Sequence, residues 1–137
     1  MKTLADLYRR PLPHNPECEM ALLGGCLLDK AAFPLASEIV LGPDEFYDER
    51  HHAIWQAMRA VHLTTGDTEG PAVAGELRQR GVELNGYLEV IVNSAVSAAG
   101  TQRFAQIVHD CWLKRQVLEQ ADGTAWVAAY ALDLMRI

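Results

Sequence analysis

The chain has 137 residues, half of them hydrophobic and 22% charged, with 12 Lys and Arg against 18 Asp and Glu for a net charge of −6. That length fits one ordinary domain, and the acidic balance argues against direct nucleic-acid binding by phosphate neutralisation, which scales with the number of basic contacts. No apolar run approaches the roughly 18 residues a membrane span needs and the N-terminus lacks a signal-peptide core, so a soluble, cytoplasmic protein without membrane contact is expected.

Residues 1–12 show little periodicity and read as a loosely held arm. Helix formation is predicted from about residue 16. Asn15 is a good N-cap, Pro16 suits the first helical position, and Glu17 and Glu19 lie where carboxylates meet the positive end of the helix dipole. This helix runs to about Asp29 with Leu23 and Leu27 on one face. Gly24 and Gly25 each cost about 1 kcal/mol of helix propensity relative to alanine, so they either admit another backbone at close range or are merely tolerated.

A second, short helix is expected from Ala31 or Ala32 to about Val40, stopping at Gly42 and Pro43, with Phe33, Ala36, Ile39 and Val40 facing the core. The segment from Asp44 to Leu63 is the clearest helix, since Ile54, Trp55, Met58, Val61 and His62 follow one face. Phe46 and Tyr47 precede it and can pack back over its start, and Asp48 is a candidate N-cap, with His51 where a capping box would place Glu or Gln. Gly66 closes that region, and a polar loop with Asp67, Thr68, Gly70 and Pro71 follows. A helix from about Pro71 to Gln79 brings Val73 and Leu77 inward and stops at Gly81.

Residues 84–96 carry both signals, because Val90, Ile91 and Val92 favour a strand while Leu84, Leu88, Ile91 and Ala95 fit a helix face. Helix is the consistent choice, there being no second strand to pair with. Thr101 can cap a long helix holding Phe104, Ile107, Val108, Cys111, Trp112 and Leu118. Gly123 and Thr124 then suggest a turn into a last helix with Trp126, Val127, Tyr130, Leu132 and Leu134. The expected fold is all-α: a small globular multi-helix bundle over residues 13–99 followed by a C-terminal helical hairpin over 100–137. Two helices cannot bury both apolar faces alone, so the hairpin packs on the bundle or on another copy.

Signs of chemistry are few. Cys18, Cys26 and Cys111 lack Cys-x-x-Cys spacing and read as small apolar fillers. His51 and His52 point about 100° apart on a helix and cannot share a metal, while His14, His62 and His109 have no clear partner. Glu17 and Glu19 face apart, and Ser94 and Ser97 have no nucleophile signature. No catalytic, metal or cofactor residue is assigned. Arg9 with Arg10, Arg78 with Arg80, and Lys114 with Arg115 are the tight basic pairs, of the kind found on solvated helix faces. Trp55 belongs to an apolar stripe, whereas Trp112 and Trp126 serve either core or interface.

The run Pro13, His14, Asn15, Glu17, Glu19, Leu23, Gly24, Gly25, Leu27, Leu28, Asp29 resembles the opening of the N-terminal domain of the replicative hexameric DNA helicases, the DnaB family. Later segments follow in the same order. Glu45, Phe46 and Tyr47 resemble its Asp-Phe-Tyr triplet, and His51, Ile54 and Met58 its following helix. Leu77 and Gly81, then Tyr87 with Leu88, Ser97 with Ala98, and Ala105, Ile107 and Val108 continue the match, which covers roughly residues 13–120. Gly86 stands alone where the family has a glycine pair, Phe104 replaces a tyrosine, and the loop from Asp67 to Val73 lacks the usual apolar spacing. No Gly-x-x-x-x-Gly-Lys-Ser/Thr occurs, so no phosphate-cradling loop is assigned.

The resemblance implies a non-enzymatic collar domain. Such domains dimerise through the C-terminal hairpin, form a trimer of dimers in the hexamer, and bind the helicase-binding domain of primase. Here that places the oligomer or partner interface on Phe104, Val108, Trp112, Arg115, Leu118, Trp126 and Tyr130. Ending inside an apparent helix, LDLMRI, the sequence reads as a piece of a longer chain. The alternative is a stand-alone phage or plasmid regulator that binds a host helicase or primase.

Overall fold

A computed structural model describes residues 12–120. Among them every regular element is helical: α1 (Pro16–Leu28), α2 (Ala32–Ser37), a 3-10 turn (Pro43–Glu45), α3 (Glu49–Thr64), α4 (Gly70–Gln79), α5 (Tyr87–Ser94) and α6 (Thr101–Gln120). The chain divides into two compact units, one of residues 15–109 and one that includes residues 12–14 and 110–120. The proposed last helix, with Trp126 and Tyr130, lies outside the described residues.

The 15–109 unit is built on α1. Asn15 caps it by accepting the Cys18 N–H at 3.0 Å, with Pro16 at the first helical position. Leu22, Leu23, Cys26 and Leu27 are buried on one side and Gly24 and Gly25 on the other, so the helix is enclosed nearly all round rather than along one stripe. The glycine pair is where a neighbour comes close. A Cβ on Gly24 would stand 2.8 Å from the Ala95 Cβ and 3.3 Å from the Ile91 carbonyl oxygen, and one on Gly25 would collide with Thr101 Oγ1. The glycines therefore let the end of α5 and the 95–101 loop lie against α1. Phe33 and Phe46 pack on Trp55 with ring centroids 4.8 and 5.3 Å apart, joining α2 and the turn before α3 to the same core.

Two boundaries differ from the sequence expectation and one is refined. Helix α2 ends at Ser37, and Ile39 and Val40 turn back with their amides on the Ala36 carbonyl. The segment that opens at Asp44 becomes regular α-helix, α3, at Glu49: Pro43–Glu45 form the 3-10 turn, and Phe46 and Tyr47 precede the helix as expected, Phe46 filling the core in extended conformation and the Tyr47 amide donating to Glu19. Asp48 is the N-cap of α3, accepting from the Arg50 amide at 2.9 Å. At α6, Thr101 is the first helical residue, and its hydroxyl donates to the Ala98 carbonyl instead of accepting a helix amide.

The ambiguous 84–96 segment is helical over Tyr87–Ser94 with Leu88 and Ile91 buried. Just before it, Asn85 and Gly86 have φ of 54° and 84°. Asparagine tolerates the left-handed region better than most residues, so it suits this turn. Thr68, fully buried in the polar loop, donates to the Cys26 carbonyl at 2.9 Å, satisfying one of the acceptors left open at the end of α1.

Candidate partner-binding surfaces

The buried titratable groups of the 15–109 unit are committed to its own structure. Glu19, 2% exposed on α1, accepts the Tyr47 N–H at 2.8 Å and approaches the Asp48 N–H at 3.4 Å. His51, 1% exposed on α3, donates from Nδ1 to Glu19 at 2.7 Å. In the neutral ring Nε2 then accepts the hydroxyl of Tyr87, also at 2.7 Å, which brings in α5. Burial raises the Tyr87 hydroxyl above its ordinary pKa. The Arg50 guanidinium covers that ring from 3.7 Å and pairs with Asp48 at 2.7 Å, holding the Asp48 carboxyl below the usual range.

These bonds tie three helices together and leave neither Glu19 nor His51 facing solvent. Sequence reasoning placed Glu19 at the helix dipole and missed this role. Its available signal was that Glu19, His51 and Tyr87 all belong to the family pattern. His109, read as lacking a partner, pairs with buried Glu45 at 2.6 Å, and Glu45 also accepts the Leu41 amide. His52 turns away from His51 to the Phe46 carbonyl. Among the described residues no group of His, Cys, Asp and Glu is gathered to hold a metal ion. Burial pushes the Cys26 thiol up to about 12, which suits an apolar filler and not a nucleophile.

The residues assigned to a partner interface fall into separate settings. Phe104 is half-buried, its ring edge 3.6 Å from where a Cβ on Gly100 would stand. Val108 is 1% exposed and belongs to the core of the 15–109 unit, because it faces inward with Ala105 on the first turns of α6. Trp112 is half-buried, Leu118 is buried, and Arg115, also buried, donates to the Pro13 carbonyl at 3.0 Å. Trp126 and Tyr130 lie outside the described residues. Leu113, which the sequence reading passed over, is 43% exposed on the same helix. No helix among the described residues is long and apolar enough to cross a membrane.

Comparison with known proteins adds a family. The profile described as DnaB-like helicase N terminal domain matches residues 11–110. The replicative DNA helicase DnaC of Bacillus subtilis (strain 168) is 36% identical over 131 residues, covering 89% of this chain and 28% of that protein. The replicative DNA helicase DnaB of Rhodothermus marinus is 37% identical over 133 residues, covering 90% of this chain and 14% of that protein. The chain therefore spans well under a third of either helicase. The crystal structure of the N-terminal domain of DnaB helicase from Mycobacterium tuberculosis superposes with a TM-score of 0.75 at 26% identity, over 92% of this chain and 99% of that one.

Proposed function

Because the chain belongs to the DnaB-like helicase N-terminal domain family, we propose that it is the non-enzymatic collar domain of a replicative DNA helicase, serving subunit association and primase docking in the cytoplasm. The observation that carries this reading is the match of residues 11–110 to that domain, with the all-helical fold of the Mycobacterium tuberculosis domain alongside it. The 137 residues hold no phosphate-cradling motif, so ATP turnover and strand separation are left to a motor outside them.

In this reading residues 100–137 act as a hairpin that joins two copies, and three such dimers make the collar of a hexamer. Phe104, Trp112, Arg115, Leu118, Trp126 and Tyr130 would carry the contact, with Val108 supporting it from within the bundle. A stable dimer of this kind buries about 1,200 Å² or more in total. Function is then mechanical: buried hairpin surface sets ring symmetry, and the collar brings primase to newly unwound strand. A pull-down with the helicase-binding domain of the cognate primase tests the docking part. Retention of primase by the folded chain is expected, and its absence beside a folded control contradicts docking.

A further inference from the structure

Helices α4 and α5 do not close fully on one another. Two adjoining hollows of 230 and 180 Å³, sharing Ala74, Leu88 and Glu89, lie along their seam and the 82–86 turn and make up a shallow cleft. Its floor is apolar, made by Pro71, Ala74, Leu77, Leu88 and Val92. The α4 side from Gly70 to Arg78 is about 12 Å long, two to three turns of an apposed helix. This matches the mode in which an amphipathic helix lays apolar side chains, spaced one turn apart, into a groove.

The rim supplies a sign. Glu83 and Glu89 are exposed at the mouth, and Asn85 and Asn93 extend the polar edge. Glu69, just before α4, is exposed at the same end as Gly70. The basic side chain lining the cleft, Arg78, is exposed with Nη2 3.8 Å from where a Cβ on Gly75 would stand, and it offsets one of the two glutamates. The mouth thus has two carboxylates against one guanidinium, a net acidic edge over an apolar floor. An occupant of opposite sign is attracted and an acidic one repelled.

We infer that the cleft between α4 and α5 is a docking groove for a basic amphipathic helix of a partner protein. The occupant has apolar anchors on one face and Lys or Arg on the flanks that meet Glu83 and Glu89. This goes beyond the primase reading, since it fixes a face and a ligand chemistry whichever protein supplies the helix.

The test uses two synthetic helical peptides of identical leucine pattern, one with lysine and one with glutamate at every polar position, titrated into the isotope-labelled chain. Amide shifts from the lysine peptide should map to α4, α5 and the 82–86 turn, and the glutamate peptide should bind at least ~10-fold more weakly. Glu83→Lys with Glu89→Lys should reverse that order. The control Glu38→Lys with Glu49→Lys changes the net charge equally at exposed positions outside the cleft and should leave it intact. Absent binding, shifts mapping elsewhere, or equal effects of the two double variants would each overturn the groove. None of those results bears on a primase pull-down, so the two readings fail separately.

Discussion

Glu19 reaches Tyr47, Asp48 and His51 from a single carboxylate, and the energetic weight of the molecule is concentrated at such points. Truncation to Glu19→Ala would leave the buried imidazole and the Tyr47 amide without an acceptor. Each buried donor left unpaired costs about 1–3 kcal/mol, and losing two is a large share of the roughly 5–15 kcal/mol typical of a domain. Urea unfolding at neutral pH should show that loss, and a change under 1 kcal/mol would mean that water replaces the carboxylate. Tyr87→Phe removes only the hydroxyl at His51 Nε2 and should cost less, about 1–3 kcal/mol.

Asp48 gives a pH-dependent prediction. Its folded pKa is depressed by Arg50, so its contribution is present above the unfolded value, about 3.9, and is lost as pH falls through the lower folded value. Asp48→Asn keeps an N-cap but removes the charge. The stability gap between wild type and this variant should therefore shrink as pH is lowered from ~5 through the carboxylate range. A gap that stays constant or widens would show that the charge contributes nothing there. Asp48→Ala should lose the cap as well, about 1 kcal/mol at any pH. None of the distant partners of Glu19 was legible locally, because hydrogen bonds to residues 28 and 32 positions away are made by the tertiary fold.

Among elements, α1 was the most legible and for identifiable reasons. Asn15 and Pro16 set its start by local chemistry, and Gly24 and Gly25 signalled close packing that the structure places against Ala95 and Thr101. Gly24→Ala would gain about 1 kcal/mol of helix propensity but force a methyl to within 2.8 Å of Ala95 Cβ. Overpacking of this kind costs roughly 1–3 kcal/mol, so net destabilisation is expected. The pair Gly24→Ala with Ala95→Gly should recover part of the loss in a double-mutant cycle. Additive losses would place the strain elsewhere. The cap of α3 is legible in the same way as the start of α1, since Asp48 is an N-cap by local chemistry, whereas the path of residues 43–47 before it is not. That path is a 3-10 turn over Pro43–Glu45 followed by an extended Phe46, with the Tyr47 amide held by the distant Glu19.

For the whole molecule, the order of helices and the family were readable because local caps, glycines and apolar spacing all agree with one fold. The division of α6 was not. Its apolar residues recur along the helix without marking that Ala105 and Val108 serve the bundle's core, so periodicity cannot separate packing within the chain from surface offered to a partner. If residues 100–137 join two copies, as proposed, sedimentation equilibrium of the chain at micromolar concentration reads the assembly out. The account predicts a dimer or a multiple of it, shifted toward monomer by Trp112→Ala combined with Trp126→Ala. A monomer throughout, unchanged in the double variant, would contradict it.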